Sequence, residues 1–346
     1  MIAAEPAPLG NYAEHQDLSY VLRPDAKGEM HRMKIETGTD LGLRQRDVRR
    51  HMERVMGELP NPHARVPLDV RIQESVETEK YTRMKIDYAV EPGSRVPAYL
   101  LIPHGLKQAA PAMLCLHPTN FQTGKAQLLG MGGNTSRFYA HELAELGFIC
   151  LAPDYPGFAE YKYDFKTEGS HYVAGTMKAI WDNVRAIDVL ESLPITAHDK
   201  IGCIGHSLGG HNTLFTSCFD RRIRCAVTSC GFNAFEDYYG GKLKGWTSDR
   251  YMPRIESLFH SDPKQMPFDF PEVLAVMAPR PLLVNAPLRD ANFEVVGVRK
   301  CEASVRPLYE KFGKSSDLVF RYPDAEHDFP DEVRSEAYQW LSDQLR

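Results

Sequence analysis

Gly205-His206-Ser207-Leu208-Gly209 sets one serine between two glycines. It follows the apolar run Ile201–Ile204 and opens a helical pattern carrying Leu208, Leu214, Phe215, Cys218 and Phe219. In a strand–turn–helix of this kind, glycines let strand and helix close on each other while the serine hydroxyl is pushed out at the top. The start of the helix aims free N–H groups at the same point, which favours a developing oxyanion. The chemistry implied is nucleophilic attack by Ser207 on an acyl carbon, through a covalent intermediate. A bare Gly-x-Ser-x-Gly arises by chance, and a structural serine is the plain alternative. The strand before it and the helix after it decide for a nucleophile.

A serine hydroxyl needs a base, and imidazole is matched to neutral pH. Of thirteen histidines, His327 in Asp324-Ala-Glu-His327-Asp-Phe lies between the last predicted strand and the terminal helical pattern. A loop there returns across the top of a sheet beside the serine turn. His206, inside the turn, cannot reach back to its neighbour's hydroxyl. His211, one helical turn on, is read as structural and facing a neighbouring strand. His117 ends an apolar run and is expected to shape the oxyanion loop or line the substrate site. An orienting acid must fix the imidazole tautomer. Asp290, in Leu288-Arg-Asp-Ala-Asn-Phe293, follows the run Leu282–Asn285, with a turn-capping role as the alternative. Asp237 is the rival acid, and Asp317 is read as a cap.

Two backbone amides should hold the oxyanion. One is that of Leu208, and the other comes from the loop after Ala112–His117. Pro118 cannot donate there, so Thr119 is the candidate. Two aromatic-rich stretches follow strand-like runs: residues 154–175, with Tyr161, Tyr163, Phe165, His171 and Tyr172, and residues 232–270, with Tyr238, Tyr239, Trp246 and Tyr251. They are expected to cap Ser207, with Tyr163 and Trp246 against the substrate. The alternative is that they only pack their own loops.

These groups need a scaffold. Short, nearly all-apolar runs occur at Ala112–His117, Phe148–Ala152, Ile201–Gly205, Cys225–Thr228, Leu282–Asn285 and Leu318–Tyr322. Such runs suit parallel strands covered on both faces. Between them lie helical patterns such as Met177, Ile180, Trp181, Val184, Ile187 and Leu190. The alternation predicts an α/β fold with a doubly wound, mostly parallel sheet. Antiparallel entry strands are read at Val66–Ile72, Tyr81–Val90 and Val96–Ile102. Residues 1–66, weakly patterned apart from a helix near 40–57 ending at Gly57, are read as an N-terminal arm packed on a catalytic domain of residues 67–346.

Composition sets the outer limits. With 43% hydrophobic and 25% charged residues and a formal charge of −5, the chain is ordinary for a globular protein and lacks the basic surface of a nucleic-acid binder. Arg44, Arg46, Arg49, Arg50 and Arg54 alternate with apolar residues and are read as a solvated helix face. No apolar stretch of roughly 18 residues exists to cross a membrane. The N-terminus has no signal-like pattern. Seven cysteines, an odd number and mostly within apolar runs, fit reduced thiols in a cytoplasmic protein. His141-Glu142 lacks the second histidine of a zinc motif, so neither metal nor cofactor is expected.

The stretches LCLHPTN, APDYPGF, GTMKAIWDN, IGCIGHSLGGHN, GWTSDRYMPRI, APRPLLVNAP with RDANF, and HDFP resemble the α/β-hydrolase superfamily. The likeness is to its dienelactone-hydrolase-like and acetyl-xylan-esterase-like branch, from about residue 112 to 330. The chain order Ser, Asp, His is the one these hydrolases use. The resemblance implies a triad of Ser207, His327 and Asp290 and metal-free hydrolysis of a small-molecule ester. Two departures stand out. The nucleophile is Ser207 where dienelactone hydrolases carry cysteine, and His117-Pro118 replaces the His-Gly common in esterases. Two other readings remain in play: a prolyl-oligopeptidase-like peptidase or amidase, and a non-catalytic binding protein on the same fold. The sequence leaves the oligomeric state, including a homo-oligomer, open.

Overall fold

The computed structural model describes residues 15–166 and 172–346. Its centre is a nine-stranded sheet. Three strands enter antiparallel: β3 (Arg71–Glu77), β4 (Tyr81–Glu91) and β5 (Ser94–Pro103). Six parallel strands follow: β6 (Ala110–Leu116), β7 (Ile149–Pro153), β8 (Thr196–His206), β9 (Ile223–Ser229), β10 (Leu282–Asn285) and β11 (Leu318–Arg321). Their spatial order is β11-β10-β9-β8-β6-β7-β5-β4-β3. A separate hairpin, β1 (Tyr20–Pro24) and β2 (Met30–Lys34), precedes them.

The apolar runs form parallel strands because both their faces are covered. Ala112, Leu114 and Leu116 of β6 join one hydrophobic layer, with Met177 and Ile180 of the helix Gly175–Ser192 (α3) and Leu214 and Phe215 of Leu208–Phe219 (α4). Met113 and Cys115 join the other, with Leu143 of Tyr139–Glu145 (α2) and Leu341 of the C-terminal helix Asp331–Leu345. Alternate side chains thus serve opposite layers, as the two-residue period of a strand dictates. β7 and β8 flank β6 on opposite sides, so the winding reverses there. The strand carboxyl ends around that reversal are where a doubly wound sheet opens a crevice.

Three sequence expectations change. The first entry strand is not Val66–Ile72 but Arg71–Glu77, an exposed edge whose charged residues hide its strand character. The N-terminal region contains the hairpin β1–β2 as well as its helix. That helix, α1 (Gly38–Met56), starts with a Thr37–Asp40 capping box and ends at Gly57 with φ +88°. Its arginines are also not all solvated. Arg44 is only 3% exposed and pairs with buried Glu272, at the start of the helix Phe270–Met277, at 2.6 Å. No helix among the described residues is long and apolar enough to cross a membrane. All seven cysteines are buried and unpaired.

Candidate active site

Ser207 sits between the end of β8 and the start of α4 with φ +55° and ψ −118°, a backbone conformation that L side chains rarely adopt. Its N–H donates to Ser229 O on β9 at 2.8 Å, and its carbonyl accepts from Gly210 N–H at 2.8 Å. The flanking glycines are dictated by contact. A Cβ on Gly209 would overlap the carbonyl of Leu116 on β6, and one on Gly205 would overlap the carbonyl of Gly209. The strand and helix are that close, so the serine is held in its turn from both sides.

The structure brings together three residues far apart in the chain. His327 Nε2 lies 2.9 Å from Ser207 Oγ, and His327 Nδ1 lies 2.9 Å from both carboxylate oxygens of Asp290. With the serine hydroxyl donating to Nε2, the Nδ1–H donates to Asp290. Asp290 is 4% exposed, and its Oδ1 also accepts from the amides of Asn292 (2.8 Å) and Phe293 (3.1 Å). Burial pushes this carboxyl up. The hydrogen bond and charge of His327, with the two amides, outweigh it and hold the group below the usual carboxylate range. Asp290 therefore stays an anion beside the imidazole. Asp237 does not compete, because its carboxylate pairs with Lys300 at 2.8 Å.

The Leu208 amide is the first of α4, one of the helix N–H groups with no intrahelical partner. Thr119 is exposed on the loop after β6, its hydroxyl 3.4 Å from the Tyr251 hydroxyl. His117 corrects the expectation that it touches substrate. It is wholly buried, bonded through Nδ1 to Pro118 O at 2.7 Å and ring-packed on Tyr155 at 4.5 Å, so it braces the loop. Tyr163 is partly buried and packs beside Tyr161 and Phe165 and over Lys178 of α3. Trp246 is buried and stands nearer the chemistry: its ring is 6.2 Å from Phe293, which is 6.0 Å from His327. His211 does not face a strand as expected, but lies 4.9 Å from Trp246. His171 lies outside the described residues.

Sequence reasoning missed the supports of the histidine loop. Asn285 Nδ2 donates to Asp328 O at 2.9 Å, Cys230 Sγ–H to the same carbonyl at 3.2 Å, and Ser136 Oγ to the Asp328 carboxylate at 2.6 Å. Only their positions next to strand ends, or in the turn before α2, could have pointed to them. Cys230, Asp290 and His327 also converge closely enough to hold a metal ion. The histidine and carboxylate there are already satisfied by each other.

Known proteins resemble this chain closely in shape and less so in sequence. "Putative hydrolase YtaP" of Bacillus subtilis (strain 168) is 26% identical over 274 residues, covering 75% of this chain and 86% of that protein. A glucuronoyl esterase from Solibacter usitatus superposes with a TM-score of 0.72 at 16% identity, over 93% of this chain and 96% of its own. Acetyl xylan esterase 1 from a Thermoanaerobacterium species gives 0.59 at 15% identity, over 88% and 94%. Residues 22–314 match the model of the Abhydrolase family, and the chain belongs to that family, with the α/β-hydrolase fold.

Proposed function

We propose that this protein hydrolyses carboxylic esters through an acyl-enzyme on Ser207. The observation that carries the reading is His327, which bridges Ser207 Oγ and the Asp290 carboxylate at 2.9 Å on each side. Ser207 attacks the ester carbonyl while His327 Nε2 takes its proton. The oxyanion is received by the amides of Leu208 and Thr119. Collapse breaks the bond to the alcohol oxygen, which leaves with the proton from His327. A water then gives a proton to His327 and attacks the acyl carbon, releasing the carboxylic acid and restoring the serine. Asp290 keeps the imidazole in the acting tautomer and offsets its charge while it is protonated. The names of the solved neighbours, a glucuronoyl esterase and an acetyl xylan esterase, support an ester bond over a peptide bond.

The test uses p-nitrophenyl acetate, an acetylated sugar and an aminoacyl anilide, with wild type beside Ser207→Ala. Ester turnover that falls by roughly 10³-fold or more in the variant supports the reading. An acetyl adduct on Ser207 in quenched wild type would identify the intermediate. Turnover that survives the substitution, or cleavage of the anilide alone, overturns it.

A further inference from the structure

A wall of rings runs from the base to the oxyanion loop. Phe293 lies 6.0 Å from His327, Trp246 6.2 Å from Phe293, and His211 4.9 Å from Trp246. Tyr251 lies 6.1 Å from His211, and its hydroxyl reaches Thr119 Oγ1 at 3.4 Å. The wall also rises from the nucleophile turn itself, since His211 N–H donates to Ser207 O at 3.2 Å. The chain of rings thus joins the histidine loop, the helix after Ser207 and the loop that carries Thr119.

Two side chains in this wall are polar and unpaired. Trp246 and His211 are each 3% exposed, yet Trp246 Nε1 and both ring nitrogens of His211 have no hydrogen-bond partner among the described residues. Buried polar groups normally find partners, and three such nitrogens on touching rings call for an occupant. Behind them Phe215, Phe235, Phe268 and Phe270 pack as hydrocarbon. Phe and Leu at positions 246 and 211 would complete that packing without stranding any polar atom. Burial holds His211 neutral, its pKa pushed down to about 3, so the ring offers one donor and one acceptor.

We propose that His211 and Trp246 form a polar subsite that takes hydroxyl groups of a sugar ring joined to the scissile ester. Trp246 Nε1–H donates, while His211 donates from one nitrogen and accepts at the other. The substrate class is then an ester of a hydroxylated ring, not of a plain acyl chain with an apolar alcohol. The three nitrogens are closed to bulk solvent here, so entry requires the wall to open. Its weakest tie is the long hydroxyl contact between Tyr251, itself half-buried, and Thr119. This inference rests on the esterase reading for the reaction, but not for the binding.

The experiment compares wild type, Trp246→Phe and His211→Leu on mono-O-acetyl methyl xyloside and on p-nitrophenyl acetate. Methyl xyloside is also titrated calorimetrically into Ser207→Ala and into Ser207→Ala/Trp246→Phe. The ratio of kcat/KM on the sugar ester to that on p-nitrophenyl acetate should fall about tenfold in Trp246→Phe, mainly through KM, the size of one lost hydrogen bond. Xyloside binding should weaken by a similar factor. An unchanged ratio, as expected if enclosed water alone satisfies the nitrogens, or xyloside affinity indifferent to Trp246→Phe, overturns the subsite. If wild type cleaves neither ester, the esterase reading fails, and the calorimetric titration still decides the subsite.

Discussion

Arg137 holds the main chain of His327: its Nη2 donates to the His327 carbonyl at 3.2 Å, while its Nη1 pairs with Asp328 Oδ1 at 2.6 Å. His327 thus sits on a loop tied to the turn before α2. The Arg137 side chain is only 11% exposed, while its partner Asp328 stays 37% exposed. Nothing in this tie touches the reacting atoms, so its effect is on where Nε2 points. Arg137→Gln should lower kcat about tenfold with little change in KM, because misplacing a catalytic group slightly costs rate before it costs binding. Arg137→Lys, which keeps the charge but not the fork, should recover only part. Equal loss in kcat and in thermal stability, with no rescue by Lys, would mark Arg137 as a fold residue only.

Asp290 gives a prediction in pH. Its carboxyl is held below the usual carboxylate range in the folded chain, because the partnership with His327 and two amides outweighs the opposing effect of burial. A group with a depressed folded pKa contributes stability that is present above its unfolded pKa and lost as pH falls through the folded one. The window therefore opens below about pH 4, the ordinary aspartate value. Wild-type Tm should fall more steeply than that of Asp290→Asn on going below that pH. At neutral pH Asp290→Asn should cost roughly 10²–10⁴ in kcat, through the wrong imidazole tautomer. Parallel Tm curves for the two proteins would refute the linkage.

The serine turn is sensitive to a single methyl group. Gly209→Ala puts a Cβ into the Leu116 carbonyl of β6, backbone that cannot step aside without moving the loop that carries Thr119. Activity should drop at least a hundredfold and stability by about 2 kcal/mol, in the range of overpacking costs. Gly313→Ala is a contrast: a Cβ there meets nothing within 4 Å, and the strain lies only in its φ of +67°. It should lower Tm slightly and leave kcat alone. Similar kinetics for the two variants would mean that the close approach at Gly209 is not what positions the turn.

These contrasts also show what a sequence makes legible. The parallel strands could be read because burial on both faces leaves an apolar run with no ambiguity of side. The convergence of Ser207, Asp290 and His327 was legible because each sits in the first turns after such a run, on the same side of the sheet. β3 was misplaced because Arg71, Glu74 and Glu77 project from an edge strand and imitate a loop. Arg137 and Asn285 were not legible, because each ties down the histidine loop through a main-chain carbonyl, of His327 and of Asp328, which carries no sequence signal. Arg44 was misread because helical spacing assigns it to a face but cannot say that Glu272, 228 residues on, is buried opposite it.

That Arg44–Glu272 contact carries the last prediction. Glu272 is 1% exposed and bonded to Arg44 at 2.6 Å and to His15 Nδ1 at 2.7 Å. Burial pushes its carboxyl up, but Arg44 and His15 overcome this and leave it below the ordinary glutamate range. Arg44→Leu should destabilise by about 3–5 kcal/mol, because it strips the strongest partner from a buried carboxylate. Arg44→Leu/Glu272→Leu should recover more than half of that, since no orphaned charge remains. His15 adds a pH signature. Burial lowers its pKa, but the hydrogen bond and charge of Glu272 outweigh that and raise it. A raised folded pKa contributes stability that is full below the unfolded value and lost as pH rises through the folded one. Wild-type Tm should therefore decline as pH climbs above about 6.5, and His15→Asn should flatten that decline. A double variant no more stable than Arg44→Leu alone would mean the helix is held by its apolar face, with the ion pair incidental.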